Sequence, residues 1–280
     1  MALAKPHPFL PLFSVKVGFS TYFITPKNVL FLIERALQKG IRFFEIAFEI
    51  PQRLNIDSGF LKEIKNLQKE GASFSLHGPW IECNLGSIFE EIRNFAKSRI
   101  FESIKIAHEW GLNPLILHPG YNFFKDEEIK ELSYQFFLNE LREIESFAKE
   151  KNIEVLIENV PFTFSFFNGM EDSKVILKTV PVRICYDVGH SFISKVQKGI
   201  PSPEDAIIRE ILENKDHIAQ IHLHGNEGRT DSHLLYESRL DLRRILKELE
   251  RNTFLGRIVV ESEDIETYGV EYFTNWLDSK

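Results

Sequence analysis

The sequence predicts an α/β fold, a single (β/α)8 barrel spanning residues 1–280, and three observations predict it. Short β-rich runs alternate with longer helical patterns from one end of the chain to the other. Eight such units at roughly 35 residues each match the number and length of units in a closed barrel. Several of the strands are unbroken apolar runs, as expected when both faces of a parallel sheet are covered.

In order, Ser14 to Ser20 reads as the first strand and Asn28 to Leu37 as the helix after it, with Gly40 as its stop. Phe43 to Phe48 and Ser73 to His77 are the next strands, each followed by a helix, Ser58 to Glu70 and Phe89 to Trp110. Gly111 ends the second of these helices. Pro114 to His118 leads into a helix from Asp126 to Lys151, and Glu154 to Glu158 into one from Met170 to Thr179. Val182 to Asp187 precedes a helix from Pro203 to Asn214, and Ile218 to His222 precedes one from Leu240 to Arg251. Arg257 to Glu261 is the last strand, and Thr267 to about Leu277 the last helix. An open doubly wound sheet would carry a glycine-rich phosphate turn after an early strand. Here the first strand runs into Ser20-Thr-Tyr-Phe23, with no G-x-G-x-x-G.

Composition narrows the function. Apolar residues make up 43% of the chain, enough for a large core, and the 25 Phe are expected to fill it. The formal charge of −7 argues against a protein held to nucleic acid by its overall field. A local phosphate site remains open, because bound cations can supply the positive charge. Cys83 and Cys185 show neither a disulfide framework nor C-x-x-C spacing, so both read as free thiols in a reducing compartment. Pro6, Pro8 and Pro11 occupy the place of a signal peptide's apolar helix, and no run of about 18 apolar residues exists. The expectation is a cytoplasmic protein with no membrane partner.

Barrel enzymes carry their chemistry where the strands end. The third to eighth strands end in His77, His118, Glu158, Asp187, His222 and Glu261. The loops that follow add His190, three residues past Asp187, and the pair Asp231 and His233, two apart and so on one side of an extended loop. Alone, His77 or His118 reads as a hydrogen-bonded structural residue, and Asp231 as a turn or cap. Together, the carboxylates would be costly to bury without cations. Imidazole and carboxylate suit zinc, manganese and iron. His224, two past His222, is left open because it lies beyond the predicted strand. His7, His108 and His217 read as surface or structural, Glu263 as solvated, and Arg239 to Arg251 as an outer helix.

The segments Leu76-His77-Gly-Pro-Trp80, Leu117-His118-Pro-Gly120, Ile157-Glu158-Asn159, Asp187-Val-Gly-His190, His222-Leu, Arg229-Thr-Asp231-Ser-His233 and Val260-Glu261 resemble endonuclease IV, one of the xylose-isomerase-like TIM barrels. The resemblance implies two or three Zn2+ ions per chain, with Mn2+ or Fe2+ as other occupants. His77, His118 and Glu158 would hold the first; Glu158, Asp187, His222 and Glu261 the second; His190, Asp231 and His233 the third. It implies hydrolysis of a phosphodiester, with Glu158 and Glu261 as the catalytic carboxylates. The implied substrate is abasic-site DNA, or a small phosphodiester such as the nucleotide loop of a corrinoid, which relatives of this barrel cleave. Trp80 and Ile81 match an aromatic–aliphatic pair that wedges into DNA. Arg53 lies near a DNA-contacting arginine, and Arg229 is a further substrate-binding candidate. The departures lie in substrate-facing loops: Glu82 and Cys83 after the wedge, Leu-Leu-Tyr-Glu after His233, and a first strand without a histidine. Sugar isomerases and epimerases of the same superfamily offer the alternative, needing one cation at counterparts of Glu158, Asp187, His222 and Glu261. A metal-dependent binding protein without catalysis is the third reading.

Overall fold

A computed structural model describes residues 16–49 and 58–279. Eight parallel strands close in chain order: β1 (Lys16–Ser20), β2 (Phe43–Ala47), β3 (Ser73–His77), β4 (Leu115–Leu117), β5 (Val155–Glu158), β6 (Arg183–Asp187), β7 (Ile218–Leu223) and β8 (Arg257–Val260). Closure comes from β1 pairing with β8, from Lys16 opposite Arg257 to Phe19 opposite Val260. The helices are α1 (Pro26–Gln38), α2 (Ser58–Lys69), α3 (Glu90–Trp110), α4 (Glu127–Glu150), α5 (Met170–Thr179), α6 (Val188–Gln197), α7 (Pro203–Glu213), α8 (Leu242–Arg251) and α9 (Asp264–Asp278). The closed (β/α)8 barrel expected from the sequence is therefore the fold.

Local chemistry explains several boundaries. The Asp126 carboxylate accepts from the backbone N–H groups of Glu128 and Ile129, both at 3.0 Å, and so starts α4. Gly111 ends α3 at φ 68°, a left-handed conformation that a side chain would strain. One helix was not expected. The segment read as a loop after β6 is α6, in which Asp187 is the N-cap and accepts from the His190 N–H at 2.6 Å.

The main core lies between the sheet and its helices. Phe19, Phe44, Phe74, Phe137, Phe167 and Phe273 are fully buried there. Phe19 meets Phe44 edge-on at 5.1 Å and Phe273 at 5.8 Å. Truncating any of these rings to Ala would cost about 3–5 kcal/mol. Arg239 to Arg251 is an outer element as expected. Leu242, Ile245, Leu246 and Leu249 of α8 face inward, while the exposed Arg244 pairs with Glu204 and Asp205 of α7.

The lumen holds a smaller cluster, Ile116, Leu156 and Cys185, and a polar thread. Gln220 of β7 donates to Glu45 of β2 at 2.6 Å, and Ser75 of β3 donates to the same oxygen at 2.9 Å. Because β2 and β7 are not neighbours, the first of these bonds crosses the barrel. Among the described residues no helix is long and apolar enough to cross a membrane.

Candidate metal centre

His77, Glu158 and Asp187 end β3, β5 and β6; His222 is the penultimate residue of β7; His118 and Glu261 lie one residue past β4 and β8. Strands in a sheet lie about 4.8 Å apart, so closing the ring turns six positions distant in sequence into neighbours. The structure brings all nine candidate ligands together around three foci.

Glu158 links the first two. Its Oε2 faces His77 Nε2 at 3.4 Å and His118 Nε2 at 3.5 Å. Its Oε1 faces His222 Nδ1 at 3.2 Å. That same nitrogen lies 3.7 Å from Glu261 Oε1 and 3.9 Å from Asp187 Oδ2. The third focus is Asp231, whose Oδ2 meets His190 Nε2 at 3.0 Å and His233 Nε2 at 3.2 Å. Asp187 and His190 share a face of α6 because they are three residues apart on a helix rather than in a loop. Asp231 and His233 do not meet by extended alternation either. His233 sits at φ 47°, a costly left-handed conformation that the surrounding contacts must maintain.

Hydrogen bonds set which imidazole nitrogen faces the cluster. Nδ1 of His77, His190 and His233 donates to the carbonyls of Gly78, Asn159 and Glu261 at 3.0, 2.9 and 3.2 Å, which turns each Nε2 toward the carboxylates, where a cation could take the place of the proton. His222 is reversed: Nε2 lies 3.2 Å from Glu45 Oε1, and Nδ1 turns to the carboxylates. Glu45 is a site residue that the strand-end rule passes over, since it sits mid-strand. Its signal was a single charge inside the apolar run Phe43-Phe-Glu-Ile-Ala47. His224, left open by the sequence, is fully buried in the third focus. Tyr22 and Phe23, after β1, put rings 6.4 Å from His77 and 4.7 Å from His233.

The electrostatics are those of a cluster held by protons. Burial alone would lower the pKa of His77 and His190, but Glu158 beside the first and Asp187 and Asp231 beside the second lift them to about 9 and about 10. Burial opposes ionisation of Glu158, and the His222 and His118 charges overcome it, holding that carboxyl well below its ordinary value. His118 is pushed down, by burial and then by neighbouring imidazolium charge. Burial also pushes the Cys185 thiol far up, so it offers no thiolate to the lumen.

The donors fit divalent cations. Glu158 Oε2 and His222 Nδ1 are buried and lack a hydrogen-bond partner, although each points at other donor atoms. Unsatisfied buried atoms cost about 1–3 kcal/mol each, which a cation would offset. Donor separations of 3.0 and 3.2 Å around Asp231 approach the edge of about 3.3 Å expected for ligands roughly 2.0 Å from a tetrahedral zinc.

The expected substrate-facing residues are only partly placed. Trp80 and Ile81 are exposed, and the Trp80 ring lies 5.7 Å from that of His118. Arg229 is exposed on the loop before Asp231. Arg53 lies outside the described residues.

Residues 33–278 match the family model of the xylose isomerase-like TIM barrel. An uncharacterised protein of Methanocaldococcus jannaschii, MJ1614, is 26% identical over 255 residues, which cover 90% of this chain and 94% of that protein. A solved D-tagatose 3-epimerase-like protein superposes with a TM-score of 0.76 at 21% identity, covering 94% of this chain and 97% of its own. Endonuclease IV from Thermus thermophilus superposes with a TM-score of 0.65 at 17% identity, covering 94% and 99%. Such identities attest the barrel alone, and one barrel serves both chemistries.

Proposed function

We propose, from the premise that this chain belongs to the xylose isomerase-like TIM barrels, that it is a metal-dependent phosphodiester hydrolase with a multinuclear, zinc-type centre. The observation that carries this reading is Glu158, whose two oxygens face two separate donor groups: His77 with His118, and His222 with its carboxylates. A single-cation enzyme has no use for the first group.

When bound, paired divalent cations polarise a phosphoryl oxygen and acidify a water from about 15.7 toward neutral pH. The chain's own residues do the rest. Glu158 is placed to set the spacing of the two positions. Glu261, 3.7 Å from His222 Nδ1, stands where a carboxylate can orient a nucleophile or hold its proton. Trp80 offers an exposed aromatic face at the edge of the site for an unstacked base or another planar group. The substrate classes are abasic-site DNA and a small phosphodiester, and the formal charge of −7 suits the small one better.

The second reading is a sugar isomerase or epimerase. It is favoured by the convergence of Glu158, Asp187 and Glu261 on the single nitrogen of His222, a set complete for one cation, with two carboxylates to move protons. Elemental analysis of the purified protein, with assays on bis-p-nitrophenyl phosphate, abasic-site duplex DNA and ketose sugars, separates them. Two or three metals with phosphodiester cleavage support the hydrolase. One metal with sugar turnover, retained in His118→Ala, overturns it.

A further inference from the structure

We propose that His224 closes the third metal position into a four-residue site, His190, His224, Asp231 and His233, which makes that position structural and leaves the chemistry to the two positions joined by Glu158. The inference rests on the multinuclear reading above and concerns a residue that the expected three-ligand set omits.

Four observations carry it. One donor atom from each of the four side chains lies within 4.8 Å of the others. His224 Nε2 is 3.6 Å from Asp231 Oδ1 and 3.1 Å from Asp187 Oδ2, so it points between the second and third foci. Its ring centroid lies 3.7 Å from that of His233 and 5.4 Å from that of His190, so three imidazoles crowd one carboxylate, and a modest turn of the His224 ring out of its stack on His233 would bring its nitrogen to the same ion. Finally, the backbone is shaped to admit the ring. A Cβ on Gly189 would lie 2.1 Å from His224 Cε1 and 2.4 Å from its Nδ1. Gly189 lies in the first turn of α6, where Ala would ordinarily favour the helix. The missing side chain is the space that the imidazole fills.

Coordination number gives this its functional meaning. A zinc position closed by four protein ligands of its own leaves no room for water or substrate, whereas the first Glu158-linked position has only His77, His118 and Glu158, and the second reaches four only by sharing Glu158. Three imidazoles and one carboxylate would supply the four donors of such a closed position. A cation there would be the tightest bound of the set. It would tie α6 to the end of β7 and to the loop that carries Asp231 and His233. No leaving oxygen could reach it without displacing a ligand. The two Glu158-linked positions, richer in carboxylate, would exchange more readily.

The test reads metal rather than turnover. Metal-free protein receives one equivalent of Co2+, and its visible spectrum is recorded. A closed three-nitrogen, one-oxygen site gives the intense band of tetrahedral cobalt, while a weak five- or six-coordinate spectrum would overturn the proposal. Zinc-loaded wild type is also dialysed against graded chelator beside His224→Gln and Gly189→Ala. The last zinc retained by wild type should bind more than 100-fold more weakly in His224→Gln, beyond the roughly 10- to 100-fold that losing a ligand's supporting hydrogen bond costs. Gly189→Ala, which pushes on the ring without touching a ligand, should weaken the same zinc by at least tenfold. Affinity within threefold of wild type in both variants would overturn the assignment. The cobalt spectrum is taken on wild type alone, so it decides the matter even where a variant fails to fold. Tight tetrahedral binding without phosphodiester cleavage would leave this inference standing and sink only the hydrolase reading.

Discussion

Replacing Glu158 with Gln tests the shared carboxylate most directly. The side chain is buried, and its oxygens face His77 and His118 at 3.4 and 3.5 Å, and His222 and His190 at 3.2 and 3.5 Å. Unit charges at that range attract by about 5 kcal/mol at an effective dielectric near 20. The amide keeps the shape and an acceptor oxygen but loses the charge. If it retains half the attraction, each cation facing Glu158 loses about 2–3 kcal/mol, a roughly 30- to 150-fold weaker affinity. Both Glu158-linked positions should weaken, and the position around Asp231 should hold within about threefold. Titration with zinc against a competing chromophoric chelator reads the three constants, and the rate on bis-p-nitrophenyl phosphate should fall with the first two. In the metal-free protein an NMR titration should find His77 well below its wild-type pKa of about 9, because burial is then less opposed. If only one position weakens, Glu158 is not shared and the single-cation isomerase gains. If none weakens, the whole assignment of this residue fails.

Glu45→Gln should weaken the His222 position by about 10- to 100-fold without changing the far-UV spectrum, since Glu45 holds the outer nitrogen of that imidazole; unchanged zinc affinity would show the contact to be incidental. The metal-free protein should lose stability as pH rises. His77 and His190 have folded-state pKa values raised to about 9 and about 10, so their contribution is complete below about 6.5 and disappears as pH passes through the raised values. Zinc affinity should climb over the same range as the cation displaces those protons, and a thermal-denaturation series from pH 6 to pH 10 that is flat without metal would refute the pairing. Trp80→Ala should raise KM several-fold for substrates with a planar group, since the residue is 37% exposed at the edge of the site. An unaltered KM would remove Trp80 from the substrate site.

Much of this architecture was legible from periodicity alone. The β3 strand and the α5 helix lie where the alternation of residue types puts them, and the cap at Asp126 and the stop at Gly111 follow from local hydrogen bonding and backbone freedom. The strand-end rule found His77, His118, Glu158, Asp187, His222 and Glu261 because it follows from topology: every strand of a parallel barrel delivers its last residue to the same rim. What failed had local causes. Val188-Gly-His-Ser has no strong helical signature, and Asp187 reads as a strand end rather than the cap of α6 that it also is. Glu45 lies mid-strand, below the rim, and His224 was passed over because β7 runs one residue further than expected, to Leu223, which puts His224 just past the strand as His118 and Glu261 are.

By itself, then, the chain's order of residues determined the barrel, the rim and the chemical character of the groups upon it, because hydrophobic period, caps and glycine stops act over a few residues. Only the closed structure decided the pairings. Glu45 meets His222, 177 positions further along the chain; Glu158 divides its oxygens between two groups; and His224 occupies the space that Gly189 leaves empty. Those contacts depend on strand register, on the curvature that brings β2 opposite β7, and on which ring nitrogen a backbone carbonyl happens to hold, quantities that the packing of the whole barrel sets at once.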